Sequence, residues 1–476
     1  MLPCSHLGGK FGRFLTIKHR NFGAAEPRLR FEACIPTIDE NHPLQIRSAV
    51  TRAEAEPLNL RARTVESALK GRKEGVPQSG RRLPGRTGFA HSVRTTYLPF
   101  GAPDYSEEEI DAVVRIMRSG WLGQGQETLE FEAELQAYLG VSEVVLVNSC
   151  TSALMLALRE TGVGRGDEVI VPSLTWCSSA NAALYHDASP VFCDIDKDSL
   201  SMSPATVAAK VTRRTRAVVV VHYGGKAVDV AALRNALPEG IAIIEDAAHA
   251  LGARYPDGSL VGTAGNLTCF SFYANKNLAT GEGGAIALFD DESARRLRPL
   301  RMHGLDSNAW SRYVKPATLT PSNIEELGFK MNYCDLQAAI GRVQLKRFDR
   351  MQAHRHELAA RYREFLAAAL PSLSMQAECF SPSHAKHLLV GVFDPALTGM
   401  NRDELLGELR ARNIGASIHY PPLHRMPLYT AARPHHLPVT DTLAPHLMTL
   451  PISAKMELTD VDYVCESLLD VIGLSA

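Results

Sequence analysis

From Tyr97 onward the chain alternates short apolar runs with stretches of helical spacing. EVVLVNS (143–149), EVIVPS (168–173), SPVFCDID (189–196), RAVVVVHYGG (216–225), IAIIEDAAHA (241–250), TCFSFY (268–273) and GAIALFD (284–290) are strand-like; many are rich in Val and Ile, and most end in polar or small residues. Near-continuous apolar strands separated by helices predict an α/β fold, with a mainly parallel sheet covered by helices on both faces. Ligands of such sheets sit at the carboxyl ends of the strands, so the polar residues closing each run carry the chemical interest. Residues 335–370 keep an amphipathic helical spacing with no stop except Gly341, and so long a helix is expected to bridge two bodies. The pattern therefore predicts a large domain over residues 95–350 and a smaller C-terminal α+β domain over 351–476.

Charge changes this picture only at the start. The whole chain has a formal net charge of -1, which gives no electrostatic reason to expect nucleic acid or a membrane surface as partner. Residues 1–94, however, hold 17 Lys+Arg against 8 Asp+Glu and show no sustained apolar period. They read as an Arg-rich extension, disordered or loosely attached, that the catalytic fold does not need. That extension lacks the apolar core of a secretory signal, and its acidic residues argue against an organellar transit peptide. Nine scattered cysteines without a CxxC pair fit reduced thiols in a cytoplasmic enzyme, and no metal is expected. No run reaches the length of a membrane span.

Four stretches could carry chemistry. Asp246 closes an apolar strand, where a carboxylate must be paired, ligating or catalytic unless it merely caps the next helix. His249 follows three residues later and reads equally as a satisfied core histidine. NSCTSAL (148–154) turns from strand to helix, which makes an anion site of its amides, although Ser and Thr are common caps in any case. Trp176, just past a strand end, could stack on a planar ligand or belong to the core. Lys276 stands alone between an aromatic run and the GEGG turn, as a functional amine or as an exposed loop lysine. Together these residues suit pyridoxal phosphate: a lysine for the Schiff base, an aspartate for the ring nitrogen, an aromatic over the ring and a helix start for the phosphate.

The order of SGWLGQGQ (119–126), NSCTSAL, PSLTWCSSANA (172–182), EDAAHALGA (245–253), SFYANKN…GEGG (271–284) and HYPPLH (419–424) resembles the DegT/DnrJ/EryC1/StrS sugar aminotransferases, fold-type I pyridoxal-phosphate enzymes of the aspartate aminotransferase-like architecture. The resemblance covers the chain from about Tyr97 to its end. It implies Lys276 as the Schiff-base lysine and Asp246 as partner of the ring nitrogen. Trp176 would stack on the ring, with His249 near the cofactor's 3-oxygen. Cys150, Thr151 and Ser271 would hold the phosphate, His419 and His424 would reach the sugar nucleotide, and Lys330 would extend from one subunit of a homodimer to the cofactor phosphate of the other. The implied substrates are glutamate, which leaves as 2-oxoglutarate, and a nucleotide-linked ketosugar. LTW (174–176), EDAAH and GFKMN (328–332) are most similar to the branch that makes UDP-4-amino-4-deoxy-L-arabinose for lipopolysaccharide. Tyr273 and Gln126 depart from the usual His and Pro of the family. A pyridoxamine-dependent dehydratase of this family would carry His at the Lys276 position. A regulatory protein on the same fold is the other reading, and a nicotinamide oxidoreductase would need a G-x-G-x-x-G that NSCTSAL does not provide.

Overall fold

In the computed structural model the described residues are 93–306, 323–369, 372–430 and 435–473, all within one unit, Leu83–Ala476. The predicted extension over residues 1–94 lies outside them, except for Val93 and Arg94.

Each apolar run becomes a strand: β1 (Glu143–Val147), β2 (Glu168–Pro172), β3 (Ser189–Cys193), β4 (Thr215–Val221), β5 (Ala242–Asp246), β6 (Leu267–Ser271) and β7 (Gly284–Leu288). They form one sheet in the order β1-β7-β6-β5-β4-β2-β3. β7 runs antiparallel to both its neighbours, and the remaining pairs are parallel. Alternate residues face opposite sides of a strand. Val144, Leu146, Val218, Val220, Ile243 and Phe270 accordingly enter one buried cluster, while Val145, Val147, Val219, Ile244 and Cys269 enter another. Both faces are therefore core, and each fully buried Val or Ile contributes about 1.5–3 kcal/mol.

Register places the site. Val221 is opposite Asp246, Asp246 opposite Cys269, and Ser271 opposite Gly284, which in turn pairs with Val147. The carboxyl ends of β1, β4, β5 and β6 and the start of β7 thus meet at one edge of the sheet. Helix α3 (Cys150–Glu160) starts there, capped by Ser149, whose Oγ accepts from the Ser152 amide at 3.1 Å. A side chain at Gly284 is impossible in this arrangement: its Cβ would lie 2.6 Å from the Cys150 nitrogen and 2.8 Å from the Phe270 carbonyl. That contact explains the last glycine of GEGG.

The long helix spans Asp335–Ala369. Its first part packs on α1 (Glu107–Ser119) and α2 (Gln126–Leu139), its second on the C-terminal helix Leu458–Ile472. It runs through the expected boundary at residue 350 without a break. The small domain adds an antiparallel sheet, β8 (Leu373–Met375), β9 (Leu389–Phe393) and β10 (Leu447–Leu450), in the order β10-β9-β8. Leu98, expected to open the large domain, instead belongs to the small one: it bridges Ile414 in parallel and lies in the small-domain core. Arg94 is tied to the same domain through Asp460 and Tyr463. Among the described residues no helix is long and apolar enough to cross a membrane.

Candidate active site

A cavity of about 440 Å³ opens at the meeting point of the strand ends, lined by Cys150, Thr151, Trp176, Asp246, His249, Ser271, Lys276 and His419 among others. Asp246, the last residue of β5, is buried; its Oδ2 accepts from Ser179 Oγ at 2.7 Å and its Oδ1 from the Ala248 amide at 3.2 Å. Burial pushes this carboxyl above the usual carboxylate range, against the Ser179 and Ala248 hydrogen bonds and the nearby Lys276 charge.

Lys276 follows β6 in the loop before the glycine turn. Burial lowers its pKa to about 8, against the raising effect of Cys150 and Asp246. The same desolvation, with Lys276 as the next cause, holds His249 and His387 far below the ordinary imidazole value and His419 at about 4. Three neutral imidazoles therefore surround the amine. His249 Nδ1 accepts from the Gly224 amide at 3.3 Å, and its Nε2 lies 3.1 Å from Tyr420 Oη. His419 Nδ1 lies 2.9 Å from Thr449 Oγ1.

At the start of α3 the amides of Cys150 and Thr151 have no acceptor within the helix, and the helix dipole makes that end attractive to anions. Thr151 Oγ1 is 2.7 Å from Ser178 Oγ, which opens the next helix, α4 (Ser178–Leu184), so two helix starts converge. Ser271 closes β6 beside them, and its Oγ accepts from the Tyr273 amide at 3.4 Å. Burial and then Asp246 push the Cys150 thiol well above the ordinary range. Trp176 stands at the mouth, 59% exposed, with its ring 5.6 Å from that of Tyr420.

A buried carboxylate facing a desolvated lysine, beside paired helix starts, is what a phosphorylated pyridine aldehyde requires. The DegT/DnrJ/EryC1/StrS aminotransferase family model matches residues 103–469. The chain belongs to that family. The spore coat polysaccharide biosynthesis protein SpsC of Bacillus subtilis (strain 168) is 41% identical over 384 residues, covering 80% of this chain and 98% of that protein. Spr1654 of Streptococcus pneumoniae, a protein assigned as a sugar aminotransferase and solved in PMP and PLP forms, superposes with TM-scores of 0.73 and 0.72 at 29% identity over 79% of this chain and 99% of its own. PseC of Helicobacter pylori, an aminotransferase in the biosynthesis of pseudaminic acid, superposes with a TM-score of 0.73 at 26% identity over 79% of this chain and all of its own.

The cofactor of this family member is pyridoxal phosphate, and the residues present fit it. Besides Lys276, Asp246 and the helix starts, Asn275 places a buried Oδ1 without a partner at the cavity wall, where a polar ligand can satisfy it.

Neither His424 nor Lys330 lines this cavity; for Lys330 the resemblance implies the cofactor phosphate of a second subunit, not that of its own chain. His424 is buried, with Nδ1 2.6 Å from Ser173 Oγ and Nε2 2.9 Å from Asp441 Oδ1; it ties the HYPPLH loop to the large domain rather than lining the cavity. Lys330 is exposed, with its Nζ near Asn332 Oδ1 and 3.5 Å from Met302 Sδ. Sequence reasoning passed over Tyr420, Ser178, Ser179 and His387. Tyr420 and the serines stand inside the motifs quoted for their neighbours, whereas nothing about HLLVGVF (387–393) marks its histidine.

Proposed function

We propose that the protein moves an amino group from glutamate to a nucleotide-linked ketosugar, a UDP-4-ketosugar being favoured by LTW, EDAAH and GFKMN. The carrying observation is Lys276, desolvated and facing Asp246 beside the start of α3. SpsC serves polysaccharide biosynthesis and PseC the making of pseudaminic acid, which supports a cytoplasmic enzyme supplying amino sugars to lipopolysaccharide or another glycan.

When bound, pyridoxal phosphate supplies an aldehyde for the amine and a protonated ring able to take up the electron pair of the substrate carbon. Asp246 would hold that ring nitrogen protonated through direct charge pairing. The amides of Cys150 and Thr151, the Thr151–Ser178 hydroxyl pair and Ser271 would hold the phosphate, and Trp176 would cover the ring. Lys276 would hold the cofactor's aldehyde, and its free amine would carry the proton from the amino donor's α-carbon and return it in the second half-reaction. A pKa near 8 leaves enough neutral amine for that task. His249 and His419 lie beside the amine as neutral groups, so neither adds a competing cation.

Glutamate added to the holoenzyme should abolish the aldehyde-lysine absorbance, and a UDP-4-ketosugar should then restore it; Lys276→Ala should do neither. Restoration by a 2-oxo acid but by no nucleotide-linked ketosugar overturns the substrate assignment. Lack of any aldehyde-lysine band in the wild type would instead favour a regulatory protein.

A further inference from the structure

His387 approaches the reacting amine from the small domain: its Nε2 is 3.3 Å from Lys276 Nζ. The geometry fixes which ring nitrogen carries the proton. Asn277 donates through Nδ2 to the Ala385 carbonyl at 2.6 Å and to Gln352 Oε1 at 3.1 Å, which orients its amide and leaves Oδ1 as an acceptor. His387 Nδ1 lies 3.2 Å from that Oδ1, so the proton is on Nδ1 and a lone pair on Nε2 points at Lys276.

The segment carrying His387 is pinned on both sides. The Ala385 amide donates to the Gly225 carbonyl at 2.9 Å and the Leu388 amide to the Gly224 carbonyl at 2.9 Å. Arg355, buried on the long helix, donates to the Lys386 carbonyl at 3.2 Å, and Gln352 of the same helix donates to the Ala385 carbonyl at 2.8 Å. The imidazole itself lies 4.5 Å from the His249 ring. These contacts fix the backbone on both sides of His387 and hold its ring against Lys276.

We propose that His387 is a positioning residue for Lys276: its Nε2 accepts a hydrogen bond from the amine and so turns the nitrogen's own lone pair toward the cavity. The inference rests on Lys276 as the Schiff-base lysine. In the step it serves, the amine nitrogen adds to the aldehyde carbon, and both amine protons leave with the aldehyde oxygen as water. Burial keeps His387 neutral, assisted by the charges of Lys276 and Arg355 and by His249 and His419, so it acts as acceptor and not as a cation.

The test compares covalent and non-covalent cofactor binding to apoenzyme. Pyridoxamine phosphate cannot react with lysine and reports the cavity alone, while the absorbance rise with pyridoxal phosphate reports attack by Lys276. His387→Phe and His387→Met, which remove the acceptor, should slow the absorbance rise by about tenfold or more, the scale of a misplaced reacting group. Their pyridoxamine phosphate Kd and Tm should stay at wild-type values. His387→Gln, whose amide oxygen can accept, should recover most of the rate. Wild-type rates in the Phe and Met variants overturn the proposal, as does a Gln variant no faster than they are. Failure of both non-accepting variants to fold or to bind pyridoxamine phosphate would assign His387 to packing and overturn it equally. A wild-type enzyme that forms no absorbance band would strike the functional reading itself.

Discussion

An amine beside a carboxylate and a thiol is expected to hold its proton more tightly, yet at Lys276 the cost of desolvating an ammonium outweighs Asp246 and Cys150 and brings the pKa from 10.5 to about 8. The sign follows directly: a lowered pKa means the neutral, reactive form appears about 2.5 pH units earlier than for a free lysine, with roughly 300-fold more of it at pH 7. Labelling of apoenzyme with trinitrobenzenesulfonate, resolved at Lys276 by peptide mapping, should therefore rise with pH through a midpoint near 8. His249, His387 and His419 face the amine as neutral groups, so titration should show that single step above pH 7. Asp246→Asn removes a charge that favours the ammonium and should move the midpoint lower; a midpoint near 10 in the wild type would show that the amine is solvated. Lys276 and Asp246 were legible in the sequence because each breaks an apolar pattern where charge is costly. His387 was not, since a histidine opening an apolar strand looks like any core histidine until a residue 111 positions away is seen beside it.

The seven strands of the large sheet were legible for the same reason that they are buried: both faces need apolar side chains, so Val and Ile run on without polar interruption. The long helix was legible from its period. Strand order and the reversed direction of β7 were not, because pairing depends on partners far along the chain, and neither was the return of Leu98 to the small-domain core. Gly341 shows how a break in pattern can mark packing instead of an end. A Cβ there would sit 2.4 Å from Phe131 Cε1, where α2 crosses the long helix. Phe131 is fully buried and lies against Phe272 and Tyr333, so it has nowhere to retreat. Ala for Gly gains about 1 kcal/mol in helix propensity, whereas overpacking costs about 1–3 kcal/mol. With the ring locked, the upper part of that range should apply. Gly341→Ala should lower Tm on calorimetric unfolding, and an unchanged or raised Tm would show that the helices can separate at little cost.

Lys330 points to a contribution from a second copy of the chain. Lys330 sits on a short bridge to Met302, two residues before Asn332, which pairs with Val147 at the end of β1. That places its backbone close to the start of α3 while its side chain is exposed and outside its own chain's cavity. If it serves a cofactor phosphate, that phosphate belongs to another copy, and we propose such sharing within a homodimer. A lysine would add a full charge to a dianionic phosphate, and a hydrogen bond involving a charged group is worth about 1.5–3 kcal/mol. Lys330→Ala should weaken pyridoxal phosphate affinity by that amount and still form the Lys276 absorbance band at saturating cofactor. At cofactor concentrations too low to fill Lys330→Ala alone, mixing it with inactive Lys276→Ala should raise activity, because a mixed dimer contains one site with Lys276 from one chain and Lys330 from the other. The control is subunit exchange, followed with differently tagged chains. Exchange without recovered activity, or a Lys330→Ala affinity equal to wild type, would mean that each chain holds its cofactor phosphate by itself, through the paired starts of α3 and α4 and Ser271.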